Sequence, residues 1–200
     1  MTDPRTIEIY NEKAGEYADL VGKIKPDSHM QAFMDHLPEG ARVLDLGCGP
    51  GTASVIMRDA GFAPDPVDAS AGMVAHARDT HHLPARIMTF DQLDVVAAYD
   101  AVWANFSLLH APRVDHPRHF SAIATALKPG GLFHIGMKTG TDEKRDTLGR
   151  NYTYVTAAEL HERFTAIGCT VIAEDTGSSK GLDGVMADWV VMLARKDDDA

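Results

Sequence analysis

The chain has 200 residues, enough for one domain with its own core, and 44% apolar and 24% charged content are those of an ordinary globular protein. A formal net charge of −10, with Asp197-Asp198-Asp199 near the end, argues against a general nucleic-acid binder, whose affinity rests on neutralising phosphates. No apolar run approaches the roughly 18 residues of a membrane span, so no membrane partner is expected. Met1-Thr2-Asp3-Pro4 has no charged-then-apolar leader pattern, and Cys48 and Cys169 do not make a disulfide framework, so a reducing, cytoplasmic location is the default expectation.

Thr2-Asp3-Pro4 offers a capping residue followed by proline in a first helical turn. Ile7, Tyr10, Ala14, Tyr17 and Val21 then recur at helical spacing, and Gly22 and Pro26 should end that helix. A second helix is expected over 28–37, with Met30, Phe33, Met34 and Leu37 as its apolar stripe and Pro38-Glu39-Gly40 as the turn after it.

The segment Arg42-Val43-Leu44-Asp45-Leu46-Gly47-Cys48-Gly49-Pro50-Gly51 reads as a short buried strand running into a glycine turn, with a helix over 52–61 behind it. Strand, glycine turn and helix open a nucleotide-binding βαβ unit. Against the dinucleotide pattern G-x-G-x-x-G/A, the third slot holds Thr52, and Pro50 removes a backbone N–H that would otherwise face a pyrophosphate. Asp45 just before the turn would repel a phosphate and attract a cation. The stretch resembles motif I of the class I S-adenosylmethionine-dependent methyltransferases, V-L-D-L-G-C-G-x-G. That resemblance implies a ligand without phosphate that carries an ammonium and a sulfonium, held by Asp45, Gly47, Cys48 and Gly49.

Further along, 62–68 should be the second strand, although Pro64 and Pro66 make it a poor one in isolation. Asp68 follows the glycine turn by about twenty residues, where nucleotide-binding folds place an acid for the ribose hydroxyls. Asp68-Ala69-Ser70-x-x-Met73 is similar to the family's D-x-S-x-x-M, in which the acid holds the ribose diol and the Met packs near the adenine. Asp68 as a mere helix cap is the alternative; Ser70 can do that job and free it. A helix over 73–80, an exposed His81-His82-Leu83-Pro84 loop and a third strand over 86–88 follow. The family places adenine contacts just after this strand, which implies Phe90 and Asp91.

The run 99–110, Tyr99-Asp100-Ala101-Val102 through Leu109-His110, resembles the family's fourth strand and implies Asn105 and Phe106 beside the methionine half of the cofactor. It lacks the N/D-P-P-Y/F signature, which lowers the case for amide or adenine amino acceptors. A helix over 120–127, Lys128-Pro129-Gly130-Gly131, and a fifth strand over 132–138 continue the family order. A capped helix over 156–168, with Glu159 placed for a capping box, precedes two strands over 170–175 and 189–194. The alternation implies a doubly wound sheet. The short, glycine-rich link over 176–188 looks like a hairpin, so the last strand should run antiparallel.

The expected architecture is therefore an α/β three-layer αβα sandwich around a seven-stranded, mostly parallel sheet, in a single domain. Residues 1–38 would form N-terminal cap helices, and 41–196 a Rossmann-like core that binds S-adenosylmethionine. The pattern Tyr10-Asn11-x-x-Ala14-x-x-Tyr17 resembles the family's cap helix, placing Tyr17 on the cofactor, with plain core packing the alternative for each tyrosine.

Candidates for the acceptor are Tyr10, Lys138, Arg150, Tyr152 and Tyr154; the last two alternate, so one of them should face the pocket. Lys144, Arg145 and Arg150 would suit an anionic substrate or simply be solvated. His110 either acts as base toward the acceptor or orients it, or is a histidine bonded to a backbone carbonyl. His110, His116, His119 and Asp115 match no zinc spacing, and no metal is expected. The function implied is methyl transfer to a small molecule by a monomer or homodimer. The alternatives are a catalytically silent S-adenosylmethionine-binding module and an NAD-dependent oxidoreductase.

Overall fold

A computed structural model describes residues 3–21 and 25–198. The expected caps at Thr2 and Gly22 lie outside them. The N-terminal helix is two: α1 (Pro4–Glu12) and α2 (Ala14–Val21), divided at Lys13, whose ψ of 17° breaks the helical run. Asp3 is the cap of α1, and its carboxylate takes bonds from the Thr6 N–H and hydroxyl and from Arg145. Then come α3 (Ser28–Asp35), β1 (Arg42–Leu46), α4 (Thr52–Asp59), β2 (Ala63–Asp68), α5 (Ala71–His81) and β3 (Arg86–Ile87). The second half holds β4 (Tyr99–Asn105), α6 (His116–Ala126), β5 (Leu127–Lys138), β6 (Glu143–Arg145), β7 (Asn151–Thr153), α7 (Ala157–Ala166), β8 (Cys169–Lys180) and β9 (Met186–Lys196).

The seven-stranded sheet runs in the order β3-β2-β1-β4-β5-β9-β8, and β9 is antiparallel to both neighbours, as expected. Period-two alternation divides β1 and β4 between two cores. Leu44, Leu46, Val102 and Ala104 face α6 and α7, where Phe120, Phe133 and Phe164 pack edge-on with centroids 5.2–5.5 Å apart. Val43, Ala101 and Trp103 face α3 and α4 through Phe33 and Met57.

The prolines of β2 are tolerated for a register reason. Ala63 N–H bonds toward β1, so the nitrogens of Pro64 and Pro66 point the other way, where β3 pairs only with Val67 and Asp68. The missing donors fall on an uncovered edge.

Several boundaries differ from expectation. Helix α6 starts at His116, because Pro117 sits in its first turn, where no N–H is needed. The capping box of α7 is half formed: Thr156 caps the Glu159 N–H, but the Glu159 carboxylate goes to Arg113 and Arg163. The last hairpin is much longer than the sequence implied. Pairing continues from Thr176↔Val190 to Lys180↔Met186, leaving only 181–185 as the turn. Gly177 is a strand residue there: a Cβ on it would lie 2.3 Å from Cζ2 of Trp189, so glycine lets the indole cross the partner strand. The β6–β7 hairpin was not foreseen.

Among the described residues, no helix is long and apolar enough to cross a membrane.

Candidate active site

The sheet order reverses between β1 and β4, the place where open α/β sheets leave a crevice at the carboxyl ends of their strands. The glycine turn forms its floor. Gly47 and Gly49 have φ of +80° and +54°, and the Gly47 and Cys48 N–H groups both bond to the Val67 carbonyl at 2.8 and 2.9 Å. A Cβ on Gly47 would stand 2.4 Å from the Cβ of Ser107, whose hydroxyl donates to Leu46 O at 2.6 Å. The turn is thus pinned between the ends of β2 and β4.

A cleft of about 630 Å³, counting its open mouth, lies over this turn. The expected residues Tyr17, Gly47, Gly49, Asp68, Ala69, Met73, Phe90, Asn105 and Phe106 line it, with Tyr10 and His110. Thr6, Ile7, Ser70, Met88 and Ser107 also line it and were not foreseen. Met88 could have been read as the next residue out of the third strand; for Ser107 no local signal exists.

Asp68 takes the Gly49 N–H on Oδ2 at 2.9 Å and the Ser70 N–H on Oδ1 at 2.8 Å. Each oxygen keeps acceptor capacity toward the cleft. Ser70 caps α5 instead, bonding the Met73 N–H. Burial raises the Asp68 pKa against the lowering effect of those N–H bonds.

The cap helices roof the cleft. Asn11 Oδ1 accepts from Ser70 Oγ at 2.8 Å and from the Gly72 N–H at 3.0 Å, and a Cβ on Gly72 would stand 2.8 Å from Asn11 O. Tyr17 reaches over Gly49, and Tyr10 meets it edge-on with centroids 5.6 Å apart. Phe106 has φ of +54°, a conformation unusual for an aromatic residue, and its ring lies over Gly136, where a Cβ would meet Asn105 Oδ1 at 2.5 Å.

Three of the expected cofactor residues do not line the cleft. Asp45 lies on the same face of β1 as Val43, so alternation turns it under the glycine turn, where Ser54 of α4 donates to it at 2.6 Å. Cys48 is buried and its thiol turns to the Gly49 carbonyl. Asp91 faces α6 and pairs with Arg118 at 2.5 Å.

Burial, and then the nearby Asp68 charge, push the Asp45 pKa up from 3.8 to about 7 against the opposing Ser54 hydrogen bond. Between about pH 4 and 7 the folded chain therefore holds a proton that the unfolded chain has released. Stability from this group falls as pH rises through that window, and above it a buried carboxylate remains uncompensated. Asp45→Asn should gain about 2–3 kcal/mol relative to wild type between pH 5 and pH 8. Denaturant melts at the two pH values would read this, and a pH-independent difference would contradict it.

His110 is bonded to a backbone carbonyl. Its Nδ1 bonds to the Asn151 carbonyl at 2.8 Å, which makes that nitrogen the donor, so Nε2 accepts from the Tyr10 hydroxyl at 2.8 Å. Burial holds its pKa down at about 4, and the ring is neutral. Arg150 Nη1 donates to the same hydroxyl at 2.8 Å.

The expected anion-binding loop is internally paired. Arg150 is 1% exposed, and its Nε and Nη2 bond to Asp146 Oδ2 at 2.9 and 2.6 Å. Arg145 is spent on Asp3 and Lys144 on Asp142. Tyr154 turns away to Lys144 and Gly140, whereas Tyr152 faces inward beside His110. His116 is also committed, to the Leu108 and Ala111 carbonyls.

The family profile "Methyltransferase domain" matches residues 23–175. A trans-aconitate 2-methyltransferase of Variovorax paradoxus is 34% identical over 120 residues, 57% of this chain and 45% of that protein. The chain spans about half the length of the curated relatives it matches. In fold it is similar to the Burkholderia thailandensis 1,6-didemethyltoxoflavin-N1-methyltransferase, solved with S-adenosylhomocysteine (TM-score 0.74, 22% identity, 97% of this chain and 88% of that one). It is also similar to the cyclase SpnF (TM-score 0.72, 19% identity, 95% and 94%). With the profile covering most of the chain, from before the glycine turn into β8, this protein belongs to the class I methyltransferase domain family.

Proposed function

We propose that the cleft binds S-adenosylmethionine and that the chain transfers its methyl group to a small-molecule acceptor in the cytoplasm. One observation carries this reading. Among the described residues that line the cleft, Asp68 is the only one with a formal charge, and no Lys or Arg is present. Such a surface suits a cationic ligand and leaves a dinucleotide's pyrophosphate without a counter-charge, which disfavours NAD. The bare Gly47 and Gly49 backbone fits a closely seated ligand, and the two unpaired cysteines accord with a reducing compartment.

In this reading the Asp68 oxygens hold the ribose diol, and Met73, Met88 and Phe90 offer apolar surface to the adenine. Asn105, Phe106 and Tyr17 border the amino-acid end. Asp45 lies beneath the turn, bonded to Ser54, instead of serving as a direct ligand. When bound, the cofactor supplies a methyl carbon already activated by a sulfonium. The protein's part is orientation and exclusion of water, and fixed near-attack geometry contributes up to about 7–11 kcal/mol in favourable systems. The Arg150–Tyr10–His110 chain fixes the Tyr10 phenol over the site. His110 is thus a positioning residue, with no lone pair free for an acceptor's proton.

A thermal-shift series tests the ligand class. S-adenosylmethionine and S-adenosylhomocysteine at about a hundred times their Kd should stabilise the fold by about 2.7 kcal/mol, whereas NAD should leave the melting temperature unchanged. The reverse ranking would overturn the proposal. Because the cyclase SpnF shares the fold, transfer itself needs its own readout: labelled methyl from the donor recovered in an acceptor product.

A further inference from the structure

The cofactor cleft continues into a second cavity. Tyr10, Tyr17 and Phe106 line both, and the far side of the second is closed by Tyr152, Lys138 and Trp189. The extended end of the β8–β9 hairpin, carried over the site by the long register described above, supplies Trp189 and the outer wall. Two lobes that share three aromatic walls provide one place for the donor and another for the acceptor.

The charges of the second lobe differ from those of the first. Its basic residues are Lys138, Arg150 and Lys180. Arg150 is neutralised by Asp146, and Lys180 lies exposed on the hairpin. Lys138, at the carboxyl end of β5, is half-buried with its ammonium 4.4 Å from the Tyr152 ring centroid. No hydrogen bond or ion pair holds it among the described residues. Asp183 on the hairpin turn exerts a favourable field on it, yet burial is the larger influence and lowers the Lys138 pKa. An ammonium has three donors, and a ring face alone satisfies none of them with a true acceptor. The neighbouring walls are flat: Tyr10, Tyr17, Phe106, Tyr152 and Trp189 are five of the lining side chains.

Building on the donor-site reading above, we infer that the second lobe receives the methyl acceptor, and that this acceptor is a small planar aromatic molecule bearing a carboxylate, which Lys138 binds. The rings stack on its plane, and the carboxylate supplies the acceptor that the Lys138 ammonium lacks. The chain's net acidity does not oppose this, since no Asp or Glu is among the described residues that line the second lobe, where Lys138 stands without a counter-ion.

The test uses the full chain saturated with S-adenosylhomocysteine, titrated with benzoate, 4-hydroxybenzoate and cinnamate and with the matching amides, followed by calorimetry and by Trp189 emission. At least one acid should bind about tenfold or more tighter than its amide, as expected when a charge-assisted bond is replaced by a neutral one. In Lys138→Met the ratio should fall below about threefold, and Lys138→Arg should restore most of it. Affinity for S-adenosylhomocysteine should be unchanged in both variants, because Lys138 lines only the second lobe. Equal binding of acid and amide, a preference that survives Lys138→Met, or no binding by any of these probes would overturn the inference. Failure of S-adenosylhomocysteine itself to bind appears in the first titration, before any acid is added, and would overturn the donor-site reading instead.

Discussion

Asp68→Ala should weaken S-adenosylhomocysteine binding by about ten- to a hundredfold. Its two oxygens each take one backbone N–H and face the cleft with their remaining lone pairs. A hydrogen bond to a charged group contributes about 1.5–3 kcal/mol, and every 1.4 kcal/mol is tenfold in Kd. The variant also frees the Gly49 and Ser70 N–H groups, so part of the loss comes through a slacker turn. Asp68→Asn separates the contributions: it keeps the shape and one carbonyl acceptor but not the charge. A pH series adds a second readout. Burial raises the Asp68 pKa, and the ionised form is the one that accepts two hydroxyls. Affinity should therefore fall on acidification sooner than for an ordinary carboxylate, and this fall should be absent in Asp68→Asn. An unchanged Kd in Asp68→Ala would remove the residue from the site.

Among the described glycines of the chain's first half, Gly47→Ala should be the most damaging substitution. Two effects add there. The residue has φ of +80°, and its new Cβ would meet the Ser107 Cβ at 2.4 Å, an atom next to the backbone that has little room to retreat. Overpacking costs about 1–3 kcal/mol and the left-handed backbone about 1 more. A chain of this size loses about 2–4 °C of Tm per kcal/mol, so a drop of roughly 4–16 °C is expected, together with loss of cofactor binding. Gly61→Ala is the internal control. Its φ is +90°, but nothing lies within 4 Å of the added methyl, so the backbone effect stands alone, at about 2–4 °C. Equal melting temperatures for the two variants would show that the contact with Ser107 is not a constraint.

The cofactor half of the site was legible because its constraints are local. A glycine turn between a buried strand and a helix, and an acid one βα unit later, are fixed by backbone geometry within a few residues. The side chains that left the site did so for reasons equally physical. Asp45 shares a face with Val43, and the period-two geometry of a strand turns that face toward α4. Asp91 was drawn off by Arg118, which the sequence places 27 positions away. The acceptor half was opaque because its polar side chains are taken up by partners both near and distant in sequence. Arg150 looked available as a lone cation in a polar loop, yet Asp146 claims it and Tyr10 completes its bonds from α1. The glycines of 176–188 signalled a loop, while Gly177 is a strand residue that makes way for Trp189. Only the tertiary pairing of β8 with β9 shows that this hairpin reaches over the site.

The central question is whether an adenosyl ligand occupies the cleft at the β1–β4 divide. A crystal of the full chain grown with S-adenosylhomocysteine tests this directly. The ribose hydroxyls should lie within hydrogen-bonding distance of Asp68, the adenine against Phe90 and Met73, and the sulfur toward the Tyr10–Phe106 wall shared with the second lobe. Density for the ligand at another place on the molecule, or an empty cleft at saturating concentration, would contradict it.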